Sequence, residues 1–173
     1  MGVQEIPAAV EAQPAVVEEA QKGEQTPDGE GAEKEKAEEG PRQPVMVTDY
    51  AAKGFHLDAE ITPDKVVAAA QILNRENFFI EAVTGVDWIN DQQMEVVYDF
   101  NNFSELCRVV VRVRIPRDNP QIPTICKVFS GAEWHERETH DFFGIVFEGH
   151  PDLSPLLLPE DADFHPLLKD FKA

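Results

Sequence analysis

Two short stretches limit what this chain can fold into more than any others: MEVVYDF at 94–100 and CRVVVRVRI at 107–115. In the first, Met94, Val96, Tyr98 and Phe100 share one side of a pleated strand. In the second, Cys107, Val109, Val111, Val113 and Ile115 share one side, while Arg108, Arg112 and Arg114 point the other way. Antiparallel pairing with Met94 opposite Val113, Val96 opposite Val111, Tyr98 opposite Val109 and Phe100 opposite Cys107 puts both apolar sets on one face. The same register sets Glu95 against Arg112 and Asp99 against Arg108. A slip of one residue would carry arginine into the core. Cross-strand charge pairing accounts for the arginines better than an anionic ligand does.

Other elements follow from local chemistry. Thr62-Pro63 supplies an N-cap and a first helical residue, and the run to about Arg75 places Val66, Ala69, Ala70 and Leu73 on one helical face. Residues 77–88, rich in aromatic and β-branched side chains, predict a strand. PRDNPQIP is a break, and residues 131–143 can form a helix capped by Gly144. From His150 onward, prolines at 151, 155, 159 and 166 forbid a long helix and favour an extended arm. Its leucines and phenylalanines must lie against something, either its own domain or a groove on another chain. The expected fold is therefore α+β: a mixed or antiparallel sheet with helices on one face, plus an extended proline-rich C-terminal arm over residues 150–173.

Composition divides the rest. Residues 1–44 hold no aromatic residue and eleven Asp/Glu against four Lys/Arg, too little apolar surface to offset the entropy of ordering them. They are expected to form a disordered acidic tail, leaving residues 45–149 as the folded α+β domain. A formal charge of -18 argues against nucleic acid and suits a basic protein partner. No apolar run approaches the ~20 residues of a membrane helix, and the N-terminus lacks the pattern of a secretion signal. Two cysteines, Cys107 and Cys126, make neither a disulfide framework nor a CxxC pair and are too few to hold an iron–sulfur cluster alone.

Carboxylates and imidazoles crowd residues 133–141, which invites a catalytic or metal reading. Yet His135 and His140 lie five residues apart, roughly 140° around a helix, so one ion cannot easily be gripped by both. Glu138, between Trp134 and Phe142 at four-residue steps, would sit on the apolar stripe; buried there, it would be a candidate acid or base. Against this, Glu133, Arg137 and Asp141 form a four-residue ladder, and a helix of mutually paired charges more often specifies packing or an interface. Ser-His-Asp, GxSxG and phosphate-cradling glycine patterns are missing. The residues favour an interface-building domain over a freestanding acid/base enzyme using Glu138.

The string from Glu133-Trp134 through Glu136-Arg137-Glu138, Asp141-Phe142 and Gly144 to Gly149-His150-Pro151-Asp152-Leu153, followed by His165-Pro166 and Lys169-Asp170, resembles the 30 kDa subunit of respiratory complex I. Two positions depart from that pattern: Ser154 and Leu168 stand where the family usually has arginine. Pro155 and the leucines after it also resemble related membrane-bound hydrogenases. The resemblance implies a structural subunit of the peripheral arm of a proton-translocating NADH:quinone oxidoreductase, with no active site or cofactor of its own. It implies FMN, iron–sulfur clusters and quinone on other subunits. The partners implied are the large quinone-site subunit and neighbouring iron–sulfur subunits, on the cytoplasmic side of a bacterial inner membrane, with membrane contact only through the complex. The alternative it leaves open is the equivalent subunit of an energy-converting hydrogenase.

Overall fold

A computed structural model describes residues 43–172. The expectation for residues 1–44 falls, but for the last two, outside the described residues. Strands β1 (Val45–Val47), β2 (Leu57–Ile61), β3 (Phe79–Trp88), β4 (Gln93–Asn102) and β5 (Cys107–Pro116) form one sheet in the order β1-β2-β5-β4-β3. Only the β2–β5 pairing is parallel within it. A second, two-stranded parallel sheet joins β6 (Gln121–Pro123) to β7 (Val146–Glu148). Helices α1 (Tyr50–Lys53), α2 (Val66–Arg75) and α3 (Ala132–Phe143) complete the fold, so the α+β expectation holds.

The apolar face read from the sequence is the core face. Met94, Val96, Tyr98, Phe100, Val109, Val111, Val113 and Ile115 are buried together with Val66 and Ala70 of α2 and Ala132 of α3. The register, however, differs from the expected one by two residues. Met94 faces Ile115, Val96 faces Val113, Tyr98 faces Val111 and Phe100 faces Val109. A two-residue slip keeps every side chain on its face, so alternation alone cannot detect it. The turn decides it instead. Asn102 pairs with Cys107, and its Oδ1 accepts the amides of Ser104 and Glu105 at 2.9 and 3.1 Å, closing residues 103–106 into a tight loop.

The slip rearranges the charges on the outer face. Glu95 lies opposite Arg114, not Arg112, and accepts from the Trp88 indole at 3.0 Å. Arg112 crosses to Asp58 of β2 at 3.1 Å, while Arg108 still reaches Asp99 diagonally at 3.0 Å. Thr62 makes no side-chain cap, and the expected helix begins with a single 3-10 turn at Pro63–Lys65 before α2.

After β7 the chain leaves Gly149 at φ 81° and, through Lys172, contains turns but neither helix nor strand. Backbone bonds from Ala162 to Pro159, Leu168 to His165 and Phe171 to Leu168 fold it into successive turns, which differ from the straight extended form expected of so many prolines. Leu153 and Leu168 pack on the core of the domain.

Candidate functional site

Helix α3 presents a polar face inward. Ala132, Glu136, Thr139 and Asp141 are its buried residues, whereas Trp134 is 61% exposed and Glu138 is exposed. This corrects the expected burial of Glu138: the helix is rotated so that the buried carboxylates are Glu136 and Asp141. Its inward groups satisfy backbone that an apolar stripe could not. The Thr139 hydroxyl donates to the Val83 carbonyl of β3 at 3.2 Å. Gly85, further along β3, is pressed by the Phe143 ring so closely that an added Cβ would lie 2.6 Å from it.

Glu136 is the centre of the first cluster. Its Oε1 accepts the Ile125 amide at 2.8 Å, and its Oε2 accepts the Thr124 hydroxyl. Burial pushes its carboxyl above the ordinary value, against the pull of the Thr124 and Ile125 bonds and of nearby His150. Nε2 of His150 lies 4.0 Å from Oε2 of Glu136, and both side chains are wholly buried. The Tyr98 hydroxyl is buried without a hydrogen-bond partner among the described residues, and burial together with the Glu136 charge raises its pKa.

Cys126, Glu136 and His150 bring a thiol, a carboxylate and an imidazole within 4.8 Å of one another, a donor set zinc accepts. Hydrogen bonding opposes that use. Nδ1 of His150 accepts the Asp152 amide at 3.1 Å, which leaves the ring proton on Nε2, where it meets the Glu133 carbonyl at 3.1 Å. The nitrogen facing Glu136 thus carries a proton where a metal would need a lone pair. Glu136, through Thr124 and Ile125, ties the loop at 124–126 to α3, and His150, through the Glu133 carbonyl, ties the GHPDL turn to it.

A second cluster grips the C-terminal segment. Oδ2 of Asp141 accepts the amides of Leu156, Leu157 and Leu158 at 2.7, 2.8 and 3.3 Å. Burial alone would raise its carboxyl, but these three bonds, with His140 nearby, hold it below the usual value. Arg137 donates to the Ser154 carbonyl at 2.6 Å, the Ser154 hydroxyl at 2.9 Å and the Pro155 carbonyl at 2.9 Å, and it lies 3.8 Å from Asp152. The expected Glu133–Arg137–Asp141 ladder is therefore replaced: Arg137 and Asp141 both turn from their own helix to the segment. Ser154, one of the two unusual positions, is what Arg137 holds. Asp152 caps the same turn by accepting the Ser154 amide at 2.9 Å.

Further along, the Leu167 amide donates to the Phe142 carbonyl at 3.1 Å, and Nδ1 of His165 meets the Asp141 carbonyl at 2.8 Å. The His165 ring lies against Gly144, which caps α3 at φ 73°; a Cβ there would come within 2.7 Å of the ring. Both conformation and space require glycine. Glu133 contributes its carbonyl to His150, Pro151 is exposed and Pro166 half-buried.

The third cluster has no counterpart among the residues singled out on α3. Asp87, whose side chain is fully buried at the end of β3, receives Arg117 at 2.9 and 3.1 Å and the Lys169 amide at 2.9 Å. Arg117 also bonds Asp170 at 2.6 Å. Burial would raise the Asp87 carboxyl, but Arg117 and Lys169 bring it below its ordinary value, and the two carboxylates raise the Arg117 pKa. Lys169 and Asp170 stand in the string quoted above, whereas the sequence signal at Asp87 is its phase with inward-facing Val83 and Gly85. Arg117→Ala is expected to cost about 2 kcal/mol, because it strips a buried carboxylate of its cation while the Lys169 amide remains. Amide exchange at residues 169–172 would show the release, with that of β4 unchanged.

A family profile described as "Respiratory-chain NADH dehydrogenase, 30 Kd subunit" matches residues 59–173. The chain belongs to this 30 kDa subunit family. It is 39% identical over 119 residues to an NADH-quinone oxidoreductase subunit of Roseiflexus castenholzii, spanning 66% of this chain and 68% of that one. Over 92 residues it is 38% identical to an F(420)H(2) dehydrogenase subunit of Methanosarcina mazei, spanning 53% and 58%. Among solved structures it is similar to a chain of an archaeal membrane-bound sulfane sulfur reductase, a respiratory membrane complex (31% identity, TM-score 0.62, 67% and 71% of the two chains). It is also similar to a trypsin-resistant fragment of Nqo5 (28% identity, TM-score 0.55, 64% and 89%). The three clusters described above all lie within or against the matched region, and most of their side chains belong to the string read as the 30 kDa subunit signature. Among the described residues no helix is long and apolar enough to cross a membrane.

Proposed function

We propose that this chain is a non-catalytic structural subunit of the peripheral arm of an NADH:quinone oxidoreductase-type complex, docking beside the large quinone-site subunit through its C-terminal segment. Electron carriers (FMN, iron–sulfur clusters, quinone) belong, on this reading, to the other subunits. One observation carries it. The charged side chains Arg137 and Asp141 spend their bonds on the backbone of residues 154–158, while Leu157, Phe164, Leu167 and Phe171 of that segment stand 61, 40, 52 and 38% exposed. A segment fixed by its backbone with apolar side chains turned outward is built to be covered.

Changing Leu157 and Leu167 together to Ser tests this. Both are exposed, so the isolated chain should keep its thermal transition, and co-purification with the large subunit should fall at least about tenfold. Unchanged co-purification would refute C-terminal docking. The likeness to the archaeal sulfane sulfur reductase chain supports a second reading, the equivalent subunit of another membrane-bound respiratory complex. The subunits that co-purify with the wild-type chain separate the two.

A further inference from the structure

The turn between β4 and β5 carries Phe103 and Leu106, 72 and 76% exposed, with Tyr50 of α1 beside it at 52%. Together with His56, Asn101 and Arg108 they line an open hollow of ≈ 430 Å³. The hollow's walls are ring contacts: Phe103 lies against Phe79 at 4.6 Å between ring centroids, and Tyr50 stacks on His56 at 4.8 Å. Leu106 adopts φ 48°, a left-handed conformation that a γ-branched residue enters at a cost and that asparagine or glycine would take readily. Folding gains nothing from a strained leucine held in water at a hairpin tip, and such local conflicts concentrate where a surface has another use.

We infer that this tip is a second docking site, for an apolar protein surface flanked by Lys or Arg. The basic flank follows from charge. Glu105 is exposed between Phe103 and Leu106 and has no ion-pair partner among the described residues, in a chain of net charge -18. That charge also disfavours an anionic membrane. The tip stands apart from the outward leucines of the C-terminal segment: Leu167 lies beside Val83 and Gly85 of β3, whereas Phe103 lies against Phe79 at the start of that strand, on the order of 13–20 Å away at ~3.3 Å per residue. Two contacts that far apart would fix the orientation of a subunit that one contact would leave free to swing.

This rests on the subunit reading, and the test keeps the two apart. Leu106→Asn suits the left-handed position, so the isolated chain should melt about 2–4 °C higher. Retention of the same variant on the membrane-bound complex through a graded salt wash should fall about tenfold. A lower melting temperature would assign Leu106 to the chain's own fold and overturn the inference, as would unchanged retention. Concentration-dependent self-association of the wild type that Leu106→Asn abolishes would assign the tip to a second copy, and overturns it too. If the Leu157/Leu167 double variant loses retention and Leu106→Asn does not, this inference alone fails. If Leu106→Asn loses it and the double variant does not, the tip stands and the C-terminal docking reading falls.

Discussion

Glu136→Ala is expected to destabilise the chain by about 3–5 kcal/mol, the largest effect of any single change on α3. Glu136 is 0% exposed, and its removal strands the Ile125 amide and the Thr124 hydroxyl beside an empty space facing the unpaired Tyr98 hydroxyl. Glu136→Gln should behave differently. Its carbonyl can still accept the Ile125 amide, and no charge has to be buried. Because burial raises the carboxyl pKa in the folded chain, the folded state holds its proton more tightly than the unfolded one. The resulting stability is complete below the unfolded value of about 4.3 and is lost as pH rises through the folded value. Thermal melts across pH 4 to 8 should therefore show Glu136→Gln gaining on the wild type as pH rises, and matching it to within about 1 kcal/mol at neutral pH. If Gln cost as much as Ala at neutral pH, the charged form would be what holds the loop at 124–126.

The same residue shows where the sequence is legible. Both ends of α3 and its Gly144 cap can be read directly, because helix termination is local chemistry. The direction the helix faces cannot. Trp134, Glu138 and Phe142 look like a stripe around one carboxylate, but the sheet offers α3 a backbone carbonyl at Val83, and the neighbouring loop offers the Ile125 amide and the Thr124 hydroxyl. A face of Glu136 and Thr139 answers those groups better than an apolar one. The β4–β5 pair repeats the lesson in another form. Alternation fixes which side of each strand is buried, yet a two-residue slip changes no side, and the choice lies with the Asn102 side chain in the turn. Asp87 and Arg117 are thirty positions apart and join only through the tertiary fold, so no local pattern announces their pairing. The signature string marks the α3 clamp clearly, but as a motif; its arrangement, with Arg137 and Asp141 reaching for the segment's backbone, exists only in three dimensions.

Asp141→Ala is expected to cost about 3 kcal/mol and to free the C-terminal segment while β3, β4 and β5 stay paired. Three amides, those of Leu156, Leu157 and Leu158, converge on one oxygen that is buried with its residue only 4% exposed. Bonds to a carboxylate are stronger than bonds to a neutral acceptor, so Asp141→Asn should lose part of the same stability without leaving a cavity. The pH dependence has the opposite sign to that of Glu136. The folded carboxyl of Asp141 is held below its ordinary value, so the unfolded or detached segment binds the proton more readily. Its contribution is complete above the unfolded value of about 3.9 and disappears as pH falls through the folded one. Amide exchange at residues 156–158, corrected for the intrinsic rate at each pH, should therefore quicken on acidification in the wild type, while Asp141→Asn exchanges faster than the wild type at neutral pH and without that pH dependence. A wild type whose 156–158 amides stayed protected below the folded value, with the Asn variant equally protected, would mean that packing of Leu153 and Leu168 holds the segment and that the carboxylate is a bystander. The expected outcome makes the α3 carboxylate the fastening that keeps Leu157 turned outward.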